Sequence, residues 1–187
     1  MKTLIQNARV YNGRGEAPFT ADVLLEGDKI RKVAQGIAAP DAQVVDASGL
    51  SLAPGFIDAH SHNDWFAIKQ DALLGFAPFI RQGITSFITG NCGIAAAGYD
   101  GGTPHLEKIG ADLFTFHGAS GCYPSHQSFF TAVNGKMPCN IAALAGHCTA
   151  RASVAGYQSG ALSPEDSKAM LSLLEASLQQ GAYGVSL

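Results

Sequence analysis

The chain has no apolar run approaching the roughly 18 residues that a membrane-spanning helix needs. Its opening segment, MKTLIQNARVYNG, lacks the long apolar core of a secretory signal. Basic clusters are missing too, and a net charge of −3 gives no support for binding to nucleic acid or a membrane surface. Cysteine is sparse. Cys92, Cys122, Cys139 and Cys148 have neither zinc-finger spacing nor the density of a disulfide scaffold. These absences predict a cytoplasmic protein with reduced thiols. Charge is scarce as well: 14% of residues are charged and 47% are hydrophobic, so most of the chain must be buried. Glycine is plentiful, and apolar segments recur between the 22 glycines, which predicts tight turns rather than disorder.

The 187 residues allow one domain, or one domain with part of another. Residues 1–52 carry short β-branched runs (TLIQNARVYNG, ADVLLEGDKIRKVAQG, AQVVDASGL) broken by Gly, Asp and Asn. LLEGDKI reads as a hairpin turning at Gly27-Asp28, and the whole segment as a small antiparallel sheet. From residue 53 to 187 the pattern becomes strand, loop, helix, strand. APGFIDAH, ITSFITGNCG, CNIAALAGH and AYGVSL are the expected strands. FAIKQDALLGFAPFIRQG reads as a helix broken near Gly75 and Pro78. SPEDSKAMLSLLEASLQQG carries a fuller helix signal: Ser163 as N-cap, Pro164 at the first position, Asp166 at a capping-box position and Gly181 past the end. Leu171, Leu174 and Leu178 form its expected apolar stripe. Strands alternating with helices predict a parallel sheet, either a barrel or a doubly wound fold. A barrel takes about 250 residues, so the segment supplies about half of one and looks cut at its fourth strand.

The strand APGFIDAH ends in histidine. Alternation along it would place Phe56, Asp58, His60 and His62 on one face. That sets two imidazoles at the C-terminal end of a parallel strand, where such folds hold their chemistry. Two neutral imidazoles there suit one divalent ion, zinc above all; the alternative is two separate hydrogen-bonded histidines. Cys92, just past the second strand, can bring a thiolate to the same mouth or serve as a small buried hydrophobe. His147 follows the third strand, with Arg151 four residues on. The imidazole can polarise a substrate carbonyl or hold a carboxylate and the arginine can pair a carboxylate in bidentate fashion, or the two are a loop histidine and a surface arginine. His105, His117 and His126 read as loop residues, and Cys122, Cys139 and Cys148 as structural. Asp58 reads as structural, and Asp64 as a weaker candidate acid still.

These residues resemble a known family. LAPGFIDAHSHND looks like the strand-one signature of the amidohydrolase superfamily, and GITSFITGNCGIA and NIAALAGHCTAR narrow the likeness to the N-acyl-D-amino-acid deacylases. GNCG is the specific part, because in that family a cysteine takes the place of the carboxylated lysine that bridges the metals of most relatives. QQGAYGVSL is similar to the fourth-strand segment, so the resemblance covers the whole chain. It implies a (β/α)8 TIM barrel, here its first half, with a small N-terminal β-sandwich domain built from both ends of the polypeptide. It also implies one or two zinc ions, with His60 and His62 at one metal position and Cys92 ligating or bridging. His147 and Arg151 would lie near the substrate.

The implied reaction is hydrolysis of the amide bond of N-acyl-D-amino acids by metal-activated water, giving a carboxylate and a free D-amino acid. The family's later histidine ligands and catalytic aspartate come from strands after the fourth, so no catalytic residue is assigned within this chain. The sequence departs from the family at Asn63-Asp64, where two acids are common, and FHGASGCYPSHQSFF matches none of its motifs. A second reading, of another class, is a non-catalytic half-barrel. Its open strand edges and apolar interior would favour self-association or pairing with a missing half. Dihydroorotase-like or hydantoinase-like chemistry is the alternative among enzymes, and Cys92 in GNCG argues against it.

Overall fold

The structure, a computed structural model, describes residues 1–67, 71–110, 113–114 and 123–187. Contacts divide the chain into two compact units, 1–54 and 55–187.

In the first unit β1 (Lys2–Val10) is central. It pairs antiparallel with β2 (Phe19–Glu26), which turns at Gly27-Asp28 into the antiparallel β3 (Lys29–Ala34). The turn lies where the sequence puts it, and Gly27 takes the positive φ of 61° that such turns ask for. The sheet is mixed rather than wholly antiparallel, because β4 (Gln43–Asp46) and β5 (Ser51–Leu52) both run parallel to β1. The connection from residue 35 to 42 crosses from the β3 edge of the sheet to the far side of β1. A bulge interrupts β1 at Asn7 (φ 60°). The buried carboxylate of Asp22 holds it by accepting the Asn7 N–H at 2.9 Å and the Ile37 N–H at 3.0 Å. Ala8, Val10, Ala21, Val23 and Ala47 form the core of this unit. An apolar hollow of about 550 Å³ lies against Ile5, Val23, Leu25, Ile30 and Val33.

The second unit begins with β6 (Phe56–Asp58), α1 (Asp64–Ala67), α2 (Ala72–Ile80) and β7 (Ile84–Thr89). After the loop comes α3 (His126–Val133), then β8 (Asn140–Ala143), β9 (Ala145–Gly146), α4 (His147–Ala155), α5 (Pro164–Gln179) and β10 (Val185–Ser186). β6, β7 and β8 pair parallel in chain order, and β10 pairs parallel with β9. Leu144 joins β8 to β9: its N–H bonds the Thr89 carbonyl, while Tyr183 N–H bonds the Ala143 carbonyl and Ala145 N–H bonds the Gly184 carbonyl. Four parallel strands thus lie side by side in sequence order.

Helix α2 runs unbroken through Gly75 and Pro78, against the expected break. Proline costs a helix the hydrogen bond to the residue four back, and here that residue is the exposed Leu74. The inner face of α2 supplies Phe76 and Phe79, which meet Phe87 of β7 edge to face at 5.1 and 5.4 Å between ring centroids. Such pairs add about 0.5–1.5 kcal/mol each to the burial itself.

Helix α5 is capped as its sequence says: the Ser163 side chain accepts the Asp166 N–H at 3.0 Å, and Gly181 follows at φ 101°. Its inward stripe is shifted from the expected one. Met170, Leu173, Leu174 and Ser177 face the core, while Leu171 and Leu178 are exposed. Ser177 can take an apolar place because its hydroxyl bonds the Leu173 carbonyl at 2.8 Å. His126 is not a loop residue. It opens α3, fully buried, with Nε2 3.4 Å from the Leu144 carbonyl. Cys122 and His117 lie outside the described residues.

Two outcomes follow. Phe87 is 1% exposed at the centre of the aromatic cluster, so Phe87→Ala should cost about 3–5 kcal/mol in a urea unfolding titration. His126 is held below the ordinary imidazole pKa, chiefly by burial, with the Leu144 carbonyl opposing. Its neutral form therefore stabilises the fold fully above about pH 6.5, and that contribution is lost as pH falls below it, with a slope of up to about 1.4 kcal/mol per pH unit. Urea midpoints of His126→Gln should lack this part of the acid slope; an unchanged slope would contradict the assignment.

Candidate metal centre

β6 closes at Asp58, so strand alternation does not place the two histidines. A hydrogen-bonded loop does. Asp58 Oδ1 accepts the His60 N–H at 3.2 Å. Ser61 is drawn inward, with both its N–H (3.1 Å) and its hydroxyl (3.2 Å) on the Ile88 carbonyl of β7. The imidazoles on either side are left together at the strand end, ring centroids 6.0 Å apart and planes at 72°. His62 stacks on Phe114 at 5.0 Å, and Phe114 on the buried Trp65 at 5.6 Å.

The loop after β7 delivers the third side chain. Cys92 sits at φ 55°, between Gly90 (φ 76°) and Gly93 (φ 70°). Left-handed backbone is costly for a residue with a Cβ, and three such conformations within four residues need strong support. The glycines are required by space as well. A Cβ on Gly90 would lie 2.4 Å from the Leu144 carbonyl oxygen, and one on Gly93 2.8 Å from Cys148 Sγ. The Asn91 amide donates to the Ser61 and Ile88 carbonyls, tying the cysteine loop to the histidine segment. Thr149, in the first turn of α4, bonds both polar groups of the Ala95 backbone. The Ser186 hydroxyl accepts the Gly93 N–H at 3.1 Å and donates to the Gly90 carbonyl.

The result is a compact donor set. One ligand atom from each of His60, His62 and Cys92 lies within 4.8 Å of the others, and Cys92 Sγ is 3.3 Å from His60 Nε2. Two imidazoles and a thiol form a nitrogen–sulfur set of the kind zinc takes with three protein ligands and a fourth position open. Two further observations fit a cation. His62 Nδ1 is sealed from solvent without a hydrogen bond of good geometry. Burial, with His60 as a lesser cause, also lowers the His62 pKa while the Ile94 backbone opposes, so the ring is neutral at pH 7 with a lone pair to give.

His147 begins α4 directly after β9, at the same end of the sheet, but does not join the donor set. Arg151 is not a free surface arginine: its guanidinium donates to the Gln158 (3.3 Å) and Gly160 (2.7 Å) carbonyls. It lines a cavity of about 310 Å³ with Ile94, Lys108, Cys148 and Tyr157. Cys148 is exposed and borders this cavity, so it is not a buried structural thiol; Cys139 is half-buried, its thiol pushed up to about 11 by burial. Asp64 is no surface acid. It is 2% exposed, and burial pushes its pKa up to about 7 against the backbone amides around it, the Ala96 N–H first. Sequence reasoning missed its burial. The available signal was its position, two residues after His62 and in the first turn of a helix.

Comparison with known proteins places the chain in a family. The amidohydrolase family model matches residues 43–187, and the chain belongs to that family. It is 34% identical to an N-acyl-D-aspartate deacylase of Alcaligenes xylosoxydans xylosoxydans over 98% of this chain and 36% of the relative. A structure of D-aminoacylase, an enzyme with a binuclear metal centre, superposes with a TM-score of 0.80 at 28% identity, covering 98% of this chain and 37% of that one. N-acyl-D-glutamate deacylase of Bordetella bronchiseptica, solved with zinc and a phosphonate inhibitor that mimics the tetrahedral intermediate, gives 0.74 at 28% identity over the same shares. The chain therefore spans a little over a third of the length of the relatives it matches.

Gly90→Ala tests the loop. With the Cβ aimed at a backbone oxygen, it should destabilise the chain by about 2–4 kcal/mol and weaken zinc binding, read by thermal unfolding and by titration with a zinc chelator. A tolerated alanine with unchanged zinc affinity would contradict the close packing.

Proposed function

We propose that this chain is part of a zinc-dependent deacylase that hydrolyses the amide bond of N-acyl-D-amino acids, with His60, His62 and Cys92 as metal ligands. The observation that carries the reading is the meeting of these three donors at one end of four parallel strands. The relatives' activities point to the substrate class. When bound, the ion supplies Lewis acidity toward the acyl carbonyl and lowers the pKa of a water to about 7. The chain's own part is to hold and orient. Ser61 and Asn91 fix the spacing between histidines and thiol, and the stacked Phe114 and Trp65 keep the His62 ring in place.

Arg151 and Lys108 give the neighbouring cavity a positive lining suited to a substrate carboxylate, and His147 precedes Cys148, which lines it, in the chain. Ile94 and Cys148, which also line it, adjoin the cysteine loop. Among the described residues no carboxylate joins the donor set.

Parallel strands neighbouring in chain order support a (β/α)8 barrel over a doubly wound sheet, whose strand order reverses. Phe56 and Ile57, adjacent in β6 and both largely exposed, support strands still to be added, from a further segment or by pairing with another chain. The apolar hollow on the first sheet supports a second sheet over it, making a small sandwich.

The test is release of free amino acid from N-acetyl-D-aspartate, N-acetyl-D-glutamate and N-acetyl-D-leucine, with the L-forms and dihydroorotate as controls. Zinc-loaded protein should release the D-amino acids selectively, and lose this with a chelator or in His60→Ala. Hydrolysis of dihydroorotate instead would contradict the substrate class. No release from any amide at full zinc loading would leave the non-catalytic half-barrel in its place.

A further inference from the structure

Asp64 follows His62 by two residues, yet its side chain is not part of the donor set. It is buried at the start of α1, and its Oδ2 accepts the Ala96 N–H at 2.8 Å. Its Oδ1 is sealed from solvent without a hydrogen bond of good geometry, with the backbone amides of Gly90 and Trp65 nearby. Burying a carboxylate is expensive unless several donors converge on it. A helix of four residues gives no structural reason for that cost. The N–H that reaches it within hydrogen-bond distance is that of Ala96, the last residue of the cysteine loop, and the amide of Gly90, the loop's first residue, lies nearby.

That loop is the strained part of the site. Its left-handed conformation at Cys92 persists only where the surroundings over-determine it. Thr149 and Ser186 hold it from the α4 and β10 side. Asp64 holds it from the histidine side, and is the one acidic side chain among its described hydrogen bonds. A carboxylate offers only acceptors, so it can gather several N–H groups at once, whereas an asparagine would turn its own N–H groups against them.

We propose that Asp64 is a positioning residue: its carboxylate gathers the two ends of the 90–96 loop and so sets whether the Cys92 thiol reaches the metal held by His60 and His62. The proposal rests on the reading of these three side chains as ligands. It assigns Asp64 no contact with substrate or metal. Its effect is on the third ligand alone.

Cobalt(II) separates the ligands by spectrum. The visible d–d bands report metal held by the site, and the near-ultraviolet thiolate-to-cobalt charge-transfer band reports Cys92. The wild-type chain should show both. Asp64→Asn should bind cobalt about 10-fold more weakly or worse, and at saturation should keep the d–d bands while losing most of the charge-transfer band, matching Cys92→Ser. Were Asp64 merely structural, Asp64→Asn would lower the melting temperature but leave the ratio of the two bands unchanged, which overturns the proposal. Should that variant fail to fold, amide hydrogen exchange on the metal-free wild-type chain decides instead. Slow exchange at Gly90 and Ala96 supports the gathered loop, and fast exchange at both overturns it. A folded wild-type chain that binds no cobalt sinks the metal reading itself and this proposal with it. Undiminished charge transfer in Asp64→Asn sinks the positioning role alone.

Discussion

Gly90 is pressed onto the Leu144 carbonyl so closely that no side chain fits between them, and most of the site's geometry depends on that contact. It joins the end of β7 to the junction of β8 and β9. It also sends the following residues through a left-handed turn, which brings the Cys92 thiol back toward His60. A loop of ordinary conformation would leave β7 on its way to α3 and carry the thiol away from the histidines. The site is thus a property of backbone packing before it is one of side chains. The bonds from Asn91, Thr149, Ser186 and Asp64 fasten a conformation that close packing of glycine makes possible.

Strand order has a related consequence. In a parallel sheet the C-terminal ends of neighbouring strands share one rim, so His60, Cys92 and His147 become neighbours though 32 and 55 residues separate them in turn. The first two are close enough to share an ion. His147 stands back because it opens a helix instead of ending a strand, and its backbone is committed to α4. The rim therefore separates into a nitrogen–sulfur cluster and an adjoining cavity lined by Lys108 and Arg151.

Much of this was legible in the sequence, for physical reasons that differ from place to place. The hairpin at Gly27-Asp28 and the cap at Ser163 were legible because turn and cap chemistry is local. The meeting of His60, His62 and Cys92 was legible because two histidines and a cysteine at neighbouring strand ends are rarely found together for packing alone. The placement of the histidines was right by a wrong route, since β6 ends at Asp58 and Ser61 does the aligning. The inner stripe of α5 was misjudged because leucine was taken as the mark of burial, while Ser177 satisfies its hydroxyl within the helix and goes inside. The parallel edge of the first sheet, the unbroken helix through Pro78 and the burial of Asp64 and His126 all depend on long-range neighbours. No local pattern reveals those.

The central claim is that His60, His62 and Cys92 bind one metal ion together. The most direct measurement is X-ray absorption at the zinc edge of the zinc-loaded chain, which counts sulfur and imidazole ligands around the ion. Joint ligation requires one sulfur at about 2.3 Å and two imidazole nitrogens at about 2.0–2.1 Å, with the sulfur lost in Cys92→Ser and one imidazole lost in His60→Ala. A ligand sphere of oxygen and nitrogen alone in the wild-type chain, unchanged in Cys92→Ser, would contradict it.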